Sequence, residues 1–290
     1  MISGFALINK VAGLTSFTAL SRLKKAVGTK HVGHCGTLDP FAEGLLLALT
    51  GRMTKFFDYV TGMPKEYEAV MCLGKETRTL DPEGDIINTC DHIPSLDEIL
   101  EKTSVYHGAM MQTPPAFSAV HVDGKRAYDL ARRGREVQIP EREIFIYDFQ
   151  ILSYEAPFLK FRIRCSSGTY IRSIARDIAA SCGSLGYLTA LKRTAIGNFT
   201  IDSVEPDTFR ILDPVEGIQK CGVKTMIIED PYFSMLKDGK EFCGAFRAFV
   251  AKRLEEHSPR AVFDPAGNFG AMVEKREGRP YYIFAAGNLA

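Results

Sequence analysis

The chain has 290 residues, 46% of them hydrophobic and 24% charged, with a net charge of +1. A chain of this length buries about three quarters of the surface it exposes when unfolded, so it needs no disulfide staples, and two domains are expected. The composition excludes a disordered chain, and apolar runs such as Leu45 to Leu49 fall far short of the roughly 18 residues of a membrane span. The first residues show neither the basic nor the apolar region of a signal peptide. Seven cysteines without a Cys-x-x-Cys pair read as reduced thiols, which places the protein in the cytoplasm.

Total charge hides an uneven distribution. Residues 1–38 carry Lys10, Arg22, Lys24, Lys25 and Lys30 and no acid, while residues 160–193 carry seven basic residues against Asp177 alone. Residues 81–101 hold seven acids and no base. If the two basic segments share a face, the protein binds phosphates despite its neutral total; if not, they are scattered solvated charge.

In chain order, Gly4 to Asn9 reads as a buried strand. Thr15 or Ser16 then caps a helix with Phe17, Leu20, Leu23 and Val27 on one face. Residues 31–40 form a glycine-punctuated loop, Glu66 to Leu73 a strand, and Ser95 to Glu98 a capping box opening a helix. Phe117 to Val122 is expected as a strand, with a turn at Asp123-Gly124 before a helix from Arg126 to Arg133. Phe145 to Tyr154 and Phe158 to Cys165 alternate as half-buried antiparallel strands, and Thr169 to Cys182 has helical spacing. Strand pairs without a βαβ rhythm predict an α+β fold with a mixed, largely antiparallel central sheet and flanking helices. The expected domains are a catalytic unit at 1–212, a linker at 213–223, and a small β-rich unit at 224–290 of nearly balanced charge.

The loop at 31–40 is where chemistry is most legible. Pro40 pushes Asp39 toward an extended conformation, and read alone the Asp-Pro pair is an ordinary helix start. His31, His34 and Cys35 lack a second pair at zinc-like spacing, so no metal is expected. Read in isolation, Tyr67 is a cross-strand aromatic, Arg172 a solvated helix arginine, and Tyr170 and Leu191 are core residues.

The run Gly33-His34-Cys35-Gly36-Thr37-Leu38-Asp39-Pro40, continuing through Phe41-Ala42-Glu43-Gly44-Leu45-Leu46, resembles the signature of the bacterial tRNA pseudouridine-55 synthases. Further words follow in family order: Lys65-Glu66-Tyr67-Glu68; Thr77, Thr79, Asp81 and Gly84; Gln112 to Ala119 with Gly124 to Tyr128; Ser167 to Arg172; and Leu191 to Thr194. The resemblance implies a pseudouridine synthase fold, with the C-terminal segment similar to the small RNA-binding domain of that family. It implies that a flipped T-loop uridine is isomerised without a cofactor, with Asp39 as nucleophile, Arg172 as its partner and Tyr67 stacking on the base. His34 would fill the space that the base leaves, Lys55, Tyr170 and Leu191 would surround the pocket, and Lys10 would contact phosphate. The implied partner is the T-arm stem-loop of tRNA, with neither a membrane nor an obligate protein partner. Three positions depart from the pattern. Val11 replaces the proline of Lys-Pro-x-Gly, Cys35 a threonine and His121 a lysine. A non-catalytic RNA-binding or remodelling protein is the competing reading, but such a protein has no use for a carboxylate among phosphates. A synthase acting on ribosomal RNA is disfavoured by Thr37, where arginine is usual.

Overall fold

The structure, a computed structural model, describes residues 3–122, 124–133 and 139–287, except for the side chains of 121, 122, 125, 126 and 132, so the departure at His121 lies outside the described side chains. The first elements are β1 (Gly4–Lys10), α1 (Ser16–Val27), β2 (Val32–His34), β3 (Glu43–Thr50), a 3-10 turn (Gly51–Phe56), α2 (Phe57–Thr61) and β4 (Lys65–Leu73). The hairpin β5 (Lys75–Thr77) and β6 (Ile86–Thr89) follows, then α3 (Leu96–Thr103), β7 (Gly108–Gln112), the short strands β8 (His121–Val122) and β9 (Lys125–Arg126), and α4 (Ala127–Arg132). After β10 (Arg142–Glu155) and β11 (Phe158–Cys165) come α5 (Ile171–Ser181), β12 (Gly186–Ile196), β13 (Phe199–Thr200), β14 (Phe209–Leu212) and α6 (Pro214–Lys220).

Ten of these strands form one mixed sheet, ordered β14-β1-β3-β12-β4-β11-β10-β7, with β2 beside β3 and β13 beside β12. Every pairing is antiparallel except β3 with β12, where Lys192 faces Glu43 and Arg193 faces Gly44. The near-continuous apolar run of β3 is explained by cover on both faces. Leu46 and Ala48 join the layer beneath α1 and α5, whereas Leu45, Leu47 and Leu49 join the opposite layer of Phe56, Phe199 and Ile218. On β11 one face is open to water, so Leu159, Phe161 and Ile163 are buried while Lys160, Arg162 and Arg164 point outward.

Several expectations need correction. Helix α1 is capped by the Thr15 hydroxyl, which accepts from the Thr18 amide, and its buried face is Ala19, Leu20, Leu23 and Val27. Phe17 falls a quarter-turn outside that stripe, is 71% exposed, and lies 5.5 Å from the Lys24 ammonium. The strand expected at Phe117 to Val122 is confined to its last two residues. Segment 213–223, expected as a linker, holds α6. Asp213 caps α6 from in front of Pro214, and Gly217 lies so close to Phe5 that a Cβ there would overlap its ring.

Residues beyond α6 form a second sheet, β15 (Lys224–Ile227), β16 (Arg260–Phe263), β17 (Phe269–Arg276) and β18 (Arg279–Ala285), together with α7 (Tyr232–Lys237) and α8 (Gly244–Arg253). The two helices were not legible because α7 is short and α8 buries just Phe246 and Val250, too few residues to show a stripe. Phe263, Phe269 and Met272 of this unit pack in the same apolar layer as Phe5 and Phe56, so the C-terminal unit is fused to the large sheet.

Close approach at the parallel pairing explains one glycine. Gly44 has φ +100°, and a Cβ there would stand 2.3 Å from the Arg193 carbonyl oxygen. Gly44→Ala should therefore lose about 3 kcal/mol or more, since overpacking against backbone adds to the penalty of a left-handed conformation. Urea unfolding measures this, and a loss under 1 kcal/mol would contradict the pairing.

Candidate active site

A cleft of about 770 Å³ opens where β3, β12 and β4 meet. Its walls come from the loop Gly36 to Pro40, from Lys65 and Tyr67 of β4, from Thr79, Asp81 and Glu83 between β5 and β6, from Phe117 to Ala119, from Ser167 to Arg172, and from Leu191 and Arg193 of β12.

Arg172, in the first turn of α5, is the centre of this cleft. Its side chain is 5% exposed, with Nε 3.0 Å from one Asp39 carboxylate oxygen and NH2 3.3 Å from the other. NH1 lies 3.2 Å from an Asp81 oxygen and donates to the Thr79 carbonyl at 2.9 Å, while NH2 also donates to the Phe117 carbonyl at 3.0 Å. One guanidinium thus joins the loop at 36–40, the β5–β6 loop and the segment before β8. Asp81 is itself fixed: the Thr79 hydroxyl and the Glu83 amide both donate to its Oδ1. Burial pushes the Asp39 carboxyl above the ordinary aspartate range and Asp81 adds to that push, whereas Arg172 and Lys10 oppose it.

Lys10 plays another part than the one expected. It is 1% exposed, and its ammonium donates to the carbonyls of Val11, Leu14 and Pro40 at 3.2, 2.7 and 3.2 Å. With the Gly13 amide also donating to the Pro40 carbonyl, Lys10 ties the turn at 11–14 to the loop at 36–40, its ammonium taken up by carbonyls. These contacts hold the turn that Val11 leaves without its proline.

Tyr67 is buried with its ring in the wall, beside Arg193 across the β4–β12 pairing. Tyr170 stands at the start of α5, its amide and carbonyl both bonded to the Gln112 side chain. The Arg142 guanidinium lies 4.6 Å over the Tyr170 ring, with two buried nitrogens that have no hydrogen-bond partner. Leu191 lines the cleft as expected. His34, at the end of β2, is outside the lining, and burial together with Arg193 and Lys24 pushes its pKa down, so the ring is neutral. Lys55 is exposed on the 3-10 turn and is not brought to the cleft. Cys35 is fully buried, and burial pushes its thiol up to about 12.

Three cleft residues had been quoted only as parts of motifs, without a role: Asp81, Lys65 and Arg193. The basic segments also prove less superficial than their charge suggests. Lys10, Arg172 and Arg193 are interior, and Lys160 and Arg162 pair with Glu68. Among the described residues no group of three or more His, Cys, Asp or Glu could hold a metal ion, and no helix is long and apolar enough to cross a membrane.

The TruB family of pseudouridylate synthases, by its N-terminal domain model, matches residues 24–171. A Borreliella afzelii protein named tRNA pseudouridine synthase B is 48% identical over 204 residues, which cover 70% of this chain and 72% of that one. The Clostridium kluyveri protein of the same name is 38% identical over 280 residues, covering 94% and 96%. This chain belongs to the TruB family. Among solved structures, a chain of an H/ACA RNP bound to a substrate RNA containing 2'-deoxyuridine matches at a TM-score of 0.64 and 18% identity, covering 93% of this chain and 77% of that one. A chain of a Cbf5-Nop10-Gar1 complex matches at 0.64 and 21%, covering 93% and 78%. At such identities these two establish the fold, a pseudouridine synthase core with its mixed sheet.

Lys65, a TruB cleft residue 5% exposed, generates a pH prediction. Burial and the Arg193 charge push its ammonium down to about 8, although it donates to the carbonyls of Thr61 and Met63. A lysine depressed in the folded state costs stability in full below its folded pKa, and the cost fades as pH rises toward the unfolded value. Lys65→Met should therefore be more stable than wild type at pH 7, by up to about 3 kcal/mol, with the difference shrinking toward pH 10. Urea unfolding of both proteins across pH 7 to 10 checks this; a variant less stable at pH 7, or a difference that ignores pH, contradicts the shift.

Proposed function

We propose that this protein isomerises the T-loop uridine at position 55 of tRNA to pseudouridine, with Asp39 as nucleophile. The observation that carries the reading is the Asp39–Arg172 pair on the floor of a cleft large enough for one nucleoside. The reaction breaks the C1′–N1 bond, turns the uracil and joins C5 to C1′, so no atoms are gained and no redox step occurs. A carboxylate can form and release a covalent adduct, and the guanidinium lies against both of its oxygens, NH2 donating to one at 3.3 Å and Nε standing 3.0 Å from the other. Arg172 also opposes the burial that pushes the Asp39 pKa up.

The target base is stacked in a folded loop and must be flipped out, at a cost of a few kcal/mol. The Tyr67 ring suits stacking on the extruded uracil, a contact worth roughly 1–3 kcal/mol. Tyr170 and Leu191 close the apolar sides of the cleft, and the neutral His34 ring suits the place the base vacates. Arg142, held over Tyr170 with two nitrogens unsatisfied, suits a phosphate of the flipped nucleotide.

The test is incubation with an unmodified T-arm stem-loop, followed by mapping of pseudouridine with a base-specific chemical probe. Wild type should convert the T-loop uridine. Asp39→Asn should give no product while binding the RNA within a few-fold of wild type, because it keeps shape and removes a negative charge. Arg172→Lys keeps a charge but loses the fork, and its single-turnover rate should fall by about 100-fold or more with little change in affinity. Measurable turnover by a contaminant-free Asp39→Asn preparation would overturn the nucleophile assignment.

A further inference from the structure

Arg193 is the largest side chain that the fold excludes from water, 1% exposed, and among the described residues no carboxylate pairs with it. Its Nε donates to the Leu45 carbonyl at 2.7 Å and NH2 to the Gly36 carbonyl at 3.0 Å. Those dipoles fix its orientation and do not neutralise it. An uncompensated buried charge costs several kcal/mol, so a countercharge in contact with it is strongly favoured. The neighbour that can supply one is Tyr67, directly opposite Arg193 in the β4–β12 register and in contact with its guanidinium.

We propose that Arg193 is the positioning residue for proton transfer, holding the Tyr67 hydroxyl and stabilising the phenolate that accepts the C5 proton. This inference rests on the isomerase reading above. After C5 has joined C1′, that carbon carries one hydrogen too many. The phenolate takes it as a proton, the C–H electron pair restores the C5–C6 double bond, and Tyr67 returns to the phenol. The proton released when the phenol ionises matches the one that N1 of the freed uracil gains, so the balance closes.

The groups facing Tyr67 divide by sign. Arg193 from β12 favours the phenolate, and Lys65 lies two residues away on the same face of β4. Asp39 from the catalytic loop opposes it, and Cys165 of β11, its thiol pushed up to about 12 by burial, stays neutral. Burial is the larger influence and leaves the Tyr67 phenol above its ordinary range, and Arg193 is the foremost influence opposing it. Without that cation, proton removal from C5 becomes the slow step.

The experiment uses the full chain and a T-arm stem-loop carrying either protium or deuterium at C5 of the target uridine, under single-turnover conditions. Wild type must first form pseudouridine; if it does not, the isomerase reading itself fails. Given turnover, Arg193→Met should slow conversion by about 100-fold or more and raise the deuterium isotope effect at least about twofold over wild type. A merely structural arginine would weaken stability or RNA affinity and leave the isotope effect as in wild type, and that result overturns the proposal. Should Arg193→Met fail to fold, Arg193→Lys carries the test. A more acidic fluorinated tyrosine at position 67 should then raise the rate of Arg193→Lys at least tenfold more than it raises that of the otherwise wild-type protein. Equal effects of the fluorinated residue in both backgrounds would also overturn it.

Discussion

A guanidinium as buried as Arg172 keeps its charge only where acceptors surround it, and its acceptors arrive from three separate segments of the chain. Asp39 comes from the loop before β3, Asp81 and the Thr79 carbonyl from the loop between β5 and β6, and the Phe117 carbonyl from the approach to β8. Removing any one of them leaves a buried charge partly unpaired, which costs far more than an exposed ion pair. The cleft therefore closes around the arginine as a unit. The same contacts bear on Asp39, because burial alone favours its protonated acid and the guanidinium opposes that.

The rest of the fold supports that arrangement. The β3–β12 pairing, possible because Gly44 lets two backbones approach, brings the Asp39 loop against the strand that carries Leu191 and Arg193. Antiparallel pairing of β12 with β4 then sets Tyr67 and Lys65 beside them. Lys10 reaches beneath the loop to grip Pro40 from below. Charge in this region is used for positioning first: four of its cations, Lys10, Lys65, Arg172 and Arg193, are interior and bonded to carbonyls, so less is left at the surface for RNA phosphates than the sequence totals suggest.

What the sequence revealed follows from how local each signal is. The alternation in β11 and the capping box at Ser95 are encoded by neighbouring residues, and both appear in the structure. The Arg172–Asp81 pair joins residues far apart in the chain, so spacing could not announce it; Thr77, Thr79 and Asp81 were visible only as a motif without a role. Lys10 and Lys55 show the converse limit. Their residue type fits a phosphate contact, but one is sunk among carbonyls and the other stands away from the cleft, a difference set by tertiary packing. Phe17 was misplaced for a simpler reason: a shift of one residue turns a side chain by about 100°, from core to solvent.

The central claim is that Arg172 lowers the Asp39 pKa against the burial that raises it. The direct measurement is the Asp39 titration by carbon-13 NMR of the aspartate carboxyls, assigned by the signal lost in Asp39→Asn, in wild type and in Arg172→Met. The account predicts an Asp39 pKa above the ordinary aspartate value in wild type and a further rise of about one unit or more when the guanidinium is removed. An Asp39 that titrates alike in both proteins would contradict it.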